Sequence, residues 1–365
     1  MPNRLNEKQI TLFIAGPGKV GSAFLRLVAE RKEYLAARYN AKAKIAGIIN
    51  SSKMLFKNDG FDLQNWKENL SASGIVSDVE KFIETIKEMN LPIPILLDCT
   101  ANDSVVKFYN KIFESGISIV TPNKIANTQS YSEYLRLRET AKKNNVHFKY
   151  GTNVGSALPF ISTLQNIVAN GDEVIKIEGV FSGTLSFMFN TLKEKESFSD
   201  VVKIARDRGY TEPDPRDDLR GLDMARKLLI LIRESGKEFE LKDISIEKLI
   251  SDESENAASV EEFFVKLKND DKKIIERRRK AAESGRVLCY IAKYENNEAS
   301  LSIQQIYNRH PFFNLVDGEN IVSFTTKNYW KNPLTIKGQG AGAEFTSVGI
   351  LSDILRIVNR NEFKL

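Results

Sequence analysis

A short apolar run that ends in a glycine turn and continues as a helix constrains this chain more than any other feature. Ile10–Ala15 reads as a buried strand, Gly16-Pro17-Gly18-Lys19-Val20-Gly21 as the turn, and Ser22–Arg31 as a helix by its apolar spacing. In that context each glycine has a physical task. The first makes the tight turn, the second lets a pyrophosphate reach the backbone, and the third lets helix and strand pack closely. The helix N-terminus then faces the phosphates. A dinucleotide is therefore expected at Gly16, Pro17, Gly18, Lys19, Val20 and Gly21. A lone glycine pattern is weak, but the flanking pattern agrees with it. Further strands are predicted at Lys44–Asn50, Ile93–Asp98, Ile117–Thr121 and Val146–Tyr150. Helices are predicted at Val76–Met89, Ser104–Glu114 and Tyr131–Asn144, with residues 53–75 polar and irregular. Apolar strands alternating with helices imply a parallel sheet covered on both faces. The fold class expected is α/β, a Rossmann-type doubly wound sheet over residues 1–150.

After that the rhythm changes. Leu158–Val168 suits a helix, and Glu173–Phe181 alternates like a half-buried strand. Helical stretches follow at about 198–208 and 219–235, and the charge-rich residues 241–285 read as helical. Late strands are expected at Val287–Tyr294, Ala299–Tyr307 and Asn320–Thr326 without long helices between them. This pattern predicts a second, α+β domain over 151–330, and a segment 331–365 that returns to the nucleotide domain through a helix near Ala343–Ile357.

Composition excludes several other classes. With 42% hydrophobic and 28% charged residues the chain is an ordinary globular protein. The net charge of +5 is spread along the chain, and the densest basic run (Lys272-Lys273, Arg277-Arg278-Arg279-Lys280) is interleaved with Asp270, Asp271 and Glu276. That is a solvated helix face, without the aromatics or module of a nucleic-acid binder. The two cysteines, Cys99 and Cys289, have no paired spacing, so a reducing cytoplasm is the default. Arg4, Glu7 and Lys8 precede Ile10 with no apolar core, so no signal peptide is expected, and no apolar run is long enough for a membrane span.

The chemistry is written in a few places. The second strand ends in Asn50-Ser51-Ser52-Lys53, where an NAD-binding unit would carry an acid for the ribose. No carboxylate is there to repel a 2′-phosphate, and Lys53 and Lys19 could attract one, so NADP is tolerated alongside NAD. Lys53 is equally well read as a solvated lysine. The turns Asp98-Cys99-Thr100-Ala101-Asn102 and Thr121-Pro122-Asn123-Lys124 follow strand ends, where ligands of such sheets bind. Lys124 there could hold a carboxylate or assist proton transfer, or be merely solvated. The densest cluster runs from Gly209 to Lys227 (GYTEPDPRDDLRGLDMARK). Its prolines fix an extended loop, and Asp217 or Asp218 could cap the helix that follows. Asp223 and Lys227 share a helix face, and Leu228–Ile232 is apolar all round. A lysine entering a buried helix needs a partner, so the pair is either an ordinary salt bridge or a working one. Glu212 and Asp218 tip the balance, because four charged groups converging there can hold a small zwitterion.

At this point the chain resembles the homoserine dehydrogenases, especially the dehydrogenase half of bifunctional aspartokinase–homoserine dehydrogenases. The motifs GPGKVG, TPNKIANT, GTNVGSALP, FSGTLSFMFN, RGYTEPDPRDDLRGLDMARKL and GQGAG run from residue 16 to 342 in family order. The resemblance implies NAD(P)-dependent interconversion of L-aspartate 4-semialdehyde and L-homoserine, a step of amino-acid biosynthesis. It makes Lys227 the proton donor, oriented by Asp223, with Lys124 supporting proton transfer between cofactor and substrate. It places the substrate on Glu212, Asp218, Asp223, Tyr210, Gly183 and Thr184. The cofactor would meet the glycine turn, Asn50, Ser51, Thr100, Lys124, Gly209 and Gly340. It also implies a homodimer through the second domain's sheet, and a sodium ion on the carbonyls of Val154, Ser156 and Leu158. The family's acidic ligand for that ion falls at Gly151, so the local anion is missing, and restoring a glutamate there is expected to strengthen ion dependence. Two other readings stand against this one. Another NAD(P)-dependent amino-acid or semialdehyde dehydrogenase would share the nucleotide domain and differ in pocket chemistry. A cofactor-binding protein without activity would be expected to lack Lys227 or Lys124, and both are present.

Overall fold

The computed structural model describes residues 8–192, 197–316 and 318–359. The polar start through Glu7 lies outside the described residues. The chain forms two compact units, one reaching Ala157 and resuming at Gly342, the other spanning Leu158–Ala341.

The first unit is built on β1 (Lys8–Ala15), α1 (Lys19–Glu30), α2 (Lys32–Tyr39), β2 (Ala41–Ile49) and β3 (Met54–Phe56). It continues with α3 (Trp66–Ala72), α4 (Val79–Met89), β4 (Pro94–Asp98) and α5 (Tyr109–Glu114). β5 (Ser118–Val120), α6 (Ile125–Thr128), α7 (Tyr131–Lys143) and β6 (Phe148–Lys149) follow. The sheet order is β3-β2-β1-β4-β5-β6. The pairs β2–β1, β1–β4, β4–β5 and β5–β6 are parallel, and β3 is an antiparallel edge. The order reverses between β1 and β4, which is where such sheets bind ligands. One face packs on α1 and the C-terminal helix (Ala343–Asn359) through Phe24, Leu25, Val28, Ile350, Ile354 and Val358. The other packs Phe13, Leu96 and Ile119 against Phe82, Ile83, Ile112 and Phe113. Local signals set the helix ends. Asp78 caps α4 by accepting from Lys81 N–H at 3.0 Å, and Ser130 caps α7 in the same way.

The second unit opens with α8 (Phe160–Ala169), β7 (Val174–Val180), α9 (Gly183–Leu192) and α10 (Phe198–Asp207). Next come α11 (Arg216–Leu219), α12 (Leu222–Glu234), β8 (Ile244–Ile246), α13 (Asp252–Glu255), α14 (Val260–Leu267) and α15 (Asp271–Glu283). Its strands end with β9 (Arg286–Glu295), β10 (Glu298–Tyr307), β11 (Glu319–Thr326) and β12 (Leu334–Gln339). The sheet order is β12-β11-β7-β9-β10-β8, antiparallel except for β10–β8. β9 alternates its faces. Tyr290 stacks on Phe189 of α9, while Cys289 and Ile291 turn to a separate cluster with Phe312 and Leu315.

Several expectations are corrected. The irregular stretch 53–75 holds β3 and α3, because Trp66 and Leu70 bury themselves in an otherwise polar segment. The helix expected from Ser104 begins as a tight turn at Val106–Phe108 and is regular only from Tyr109. Residues 241–285 include the short strand β8 as well as helices. The expected domain limits at 150 and 330 move to 157 and 341. Residues 151–157 are tied to the C-terminal helix, with Gly151 N–H donating to Asp353 at 2.7 Å and Ser156 bonded to Thr346. β12 is zipped to β11, so it belongs to the second unit's sheet. Among the described residues no helix is long and apolar enough to cross a membrane.

Ile354, 1% exposed, is the clearest gauge of how far the C-terminal helix completes the first core. Ile354→Ala should lower the unfolding free energy by about 2–5 kcal/mol in urea titration. A loss under about 1 kcal/mol would mean that the helix is dispensable to that core.

Candidate functional site

In the first unit three turns meet at the carboxyl ends of β1, β4 and β5. Gly16 takes a left-handed φ of 80° and donates its N–H to Ile49 at 2.9 Å. A Cβ on Gly16 would stand 2.9 Å from Thr100 N, and one on Gly21 would stand 2.7 Å from the Gly16 carbonyl. Both glycines are thus demanded by close backbone approach. Helix α1 starts at Gly18 with no side-chain cap, leaving its first N–H groups to an anion. The arrangement fits a dinucleotide pyrophosphate.

Beneath these turns lies a buried polar network that the sequence reading did not find. Asp98 accepts from Thr100 N–H (2.9 Å), Thr100 Oγ1 (2.6 Å), Tyr109 Oη (2.6 Å) and Asn123 Nδ2 (3.4 Å). Burial pushes its carboxyl up, and these donors pull it back. Its own carbonyl accepts from Thr121 Oγ1 at 2.7 Å, and Thr121 Oγ1 accepts from Asn123 N–H at 2.9 Å. The Thr100 and Lys124 turns are therefore held as one piece. Lys124 is the residue before α6, partly exposed. At the end of β2, Asn50 Oδ1 accepts from Ser52 N–H and Lys53 N–H at 2.9 and 2.7 Å. Its side chain builds the turn, while Ser51 is exposed.

The ion ligands implied by the resemblance divide between the units. Val154 and Ser156 sit in the first, where Gly155 and Ser156 both have positive φ, and Leu158 opens the second. Gly151 faces a carboxylate after all. Asp353 reaches it from the C-terminal helix, with one oxygen on Gly151 N–H and the other on Arg356 at 3.2 Å. Burial raises this carboxyl, first among its causes. Each oxygen has one partner, and no group of three or more His, Cys, Asp or Glu suited to a metal occurs among the described residues. No catalytic step is routed through an ion at these carbonyls.

In the second unit, Lys227 Nζ lies 2.7 Å from Asp223 Oδ2 and 2.7 Å from the carbonyl oxygen of Phe181. The lysine side chain is 14% exposed and that of Asp223 51%, so the ammonium is sheltered and its partner reaches solvent. Asp218 does not cap a helix, contrary to expectation. Pro215 precedes α11, and Gly221 (φ 70°) separates α11 from α12. This frees Asp218 Oδ2 to accept from Glu212 N–H at 2.8 Å. Burial raises the Asp218 carboxyl, the bond from Glu212 N–H opposes that, and the charges of Glu212 and Asp223 add to it. Thr184 Oγ1 donates to the Tyr210 carbonyl at 2.7 Å, and the Tyr210 ring stacks on Phe187 at 4.2 Å. So Thr184 is tied to Tyr210 and Glu212 to Asp218, and Asp218 feels the charge of Asp223, the partner of Lys227, with Gly183 at the start of α9. Gly209 follows α10, exposed, with open space around it, and Gly340 is buried against Asn320.

A glycine turn at the switch point of a parallel sheet marks the first unit as a dinucleotide-binding fold, and the second unit holds a sheltered lysine paired with a carboxylate. Two family models match in turn, "Homoserine dehydrogenase, NAD binding domain" over residues 16–151 and "Homoserine dehydrogenase" over 159–355. The chain belongs to the homoserine dehydrogenase family. It is 35% identical to a homoserine dehydrogenase of Schizosaccharomyces pombe, covering 96% of both chains. It is 38% identical to bifunctional aspartokinase/homoserine dehydrogenase 2 of Arabidopsis thaliana over 97% of this chain, spanning only 39% of that relative's length. A solved Candida auris protein, described as of unknown function, is similar in structure. It has a TM-score of 0.88 at 36% identity, covering 97% of this chain and 99% of that one.

The Asp353 geometry reverses the expectation for residue 151. A Cβ there would stand 2.9 Å from both Asp353 oxygens, so Gly151→Glu should destabilise the first unit by about 1–3 kcal/mol. Thermal melting reads this, and an undiminished Tm with a new sodium requirement would overturn it. For Asp218, a raised carboxyl favours the native state at acid pH, and that contribution is lost as pH rises through its folded value. Asp218→Asn should therefore melt no lower than the parent at neutral pH, with any advantage shrinking in acid. A variant hurt more at neutral pH than in acid would show that the sign is wrong.

Proposed function

We propose that this chain interconverts L-aspartate 4-semialdehyde and L-homoserine with NAD(P), serving threonine, methionine and isoleucine biosynthesis. The observation that carries this reading is the Lys227 ammonium, clamped between Asp223 and the Phe181 carbonyl, with Asp218 and Glu212 in charge contact with each other and Asp218 with Asp223. With its pyrophosphate held on the Gly16–Gly21 turn, the cofactor would supply or accept the hydride. Lys227 gives its proton to the aldehyde oxygen during reduction and recovers it from the hydroxyl during oxidation. Asp223 aims the lysine. Glu212, Asp218 and Asp223 form an acidic wall for the substrate ammonium, with Gly183, Thr184 and Tyr210 lining the pocket. Thr100, Lys124, Ser51, Gly209 and Gly340 are assigned to the cofactor, and Lys124 also supports proton transfer. The lack of a carboxylate in Asn50–Lys53 supports use of NADP as well as NAD. A homodimer through the second unit's sheet and a cytoplasmic location belong to the same reading. Cys99 and Cys289, neither in a disulfide, suit the second of these.

The test is oxidation of L-homoserine by the purified chain, followed by the absorbance of reduced nicotinamide with each cofactor in turn. Turnover is expected with homoserine and not with threonine or lactate. Lys227→Ala should lose about 10²- to 10⁴-fold in kcat with cofactor affinity intact. Near-normal turnover in that variant would remove the proton role. A parent enzyme active only on another amino-acid alcohol would reassign the substrate.

A further inference from the structure

The Phe181 carbonyl that anchors Lys227 is itself held from the other side. Asn320 begins where β11 runs antiparallel to β7, with Ile321 opposite Val180. Its side chain is fully buried. The amide nitrogen donates to two carbonyls, Phe181 at 3.3 Å and Gly340 at 3.1 Å. This fixes which end of the amide is which, because the reverse orientation would set an oxygen against two acceptors. The oxygen, Oδ1, is buried and has no hydrogen-bond partner. Gly340 passes so close that a Cβ there would stand 2.2 Å from Asn320 Cγ, which locks the amide in place.

We propose that Asn320 is a positioning residue for Lys227, acting through the Phe181 carbonyl. This rests on the reading of Lys227 as proton donor. A carbonyl oxygen has two lone pairs, and here one meets the lysine ammonium and the other the Asn320 amide. Asp223 is half exposed, so the fully buried Phe181 carbonyl is the half of the clamp shielded from solvent. Without the amide donor that peptide is free to tilt, and the ammonium is no longer aimed. The unpaired Oδ1 tells against a role in fold stability alone, since a residue placed for that purpose satisfies both ends of its amide.

Asn320→Asp keeps the shape and removes the N–H donors, while Asn320→Ser shrinks the side chain and keeps one donor. In the full chain, Asn320→Asp should lower kcat about 10- to 100-fold, with KM for homoserine and cofactor affinity within about threefold. The solvent deuterium isotope effect on kcat should rise, because proton transfer becomes the slow step, and Asn320→Ser should retain more turnover than Asn320→Asp. If the aspartate variant does not fold, the serine variant is read against the parent with the same measurements. A kcat within twofold of the parent, or a lowered kcat with an unchanged isotope effect, would overturn the proposal. Lys227→Ala is assayed alongside. Near-normal activity there defeats the underlying reading, whereas an inactive Lys227→Ala beside fully active Asn320 variants defeats this inference alone.

Discussion

An ammonium group cannot enter a helix that is apolar all round unless acceptors meet it, and that requirement organises the second unit. Leu228–Ile232 are fully buried, so α12 cannot shift to relieve Lys227. The acceptors must come to the lysine instead: Asp223 from one turn earlier on the same helix, and the Phe181 carbonyl from the end of β7. A sheltered charge is costly when unpaired. The segments around that clamp are set by contacts of their own. Gly221 breaks the helix so that α11 can turn Asp218 back toward Glu212, and Thr184 ties α9 to the Tyr210 backbone.

The first unit solves a comparable problem with neutral donors. Asp98 ends β4 beneath the turns assigned to the cofactor and is wholly buried, yet none of its four hydrogen-bond donors is charged. Two hydroxyls, a backbone N–H and an amide share one anion. Burial and hydrogen bonding pull its carboxyl in opposite directions, with burial the larger. The consequence is mechanical. Thr100, Thr121 and Asn123 cannot move separately, so the glycine turn packed on Thr100 and the segment leading to Lys124 keep a fixed spacing. Burial also holds the adjacent Cys99 thiol protonated, which removes a nucleophile from this position.

Where residues act on their neighbours in sequence, the reading was direct. The glycine turn, the parallel strands and the Asp223–Lys227 pair all follow from spacing along one strand or helix. The short strands β3, β8 and β12 were illegible, since each depends on a partner strand for its hydrogen bonds. Asp218 misled for a similar reason. Its position before a helix suggests a cap, but the helix breaks at Gly221 and the carboxylate turns to Glu212. Gly151 is the sharpest case: the sequence shows a missing acid, and the structure shows Asp353, about 200 residues away, in the space a side chain would need.

The sequence by itself determined the class of fold, the place for a dinucleotide and the lysine with its carboxylates. Periodicity, glycine spacing and charge at helical intervals are local properties that no distant contact needs to complete. The tertiary structure alone decided which backbone carbonyl anchors Lys227, which amide holds that carbonyl, and which carboxylate ties the turns of the first unit together. Those choices depend on strand register and on helices packed from far along the chain. A buried polar group must find its partner in three dimensions, and no spacing rule says where that partner lies.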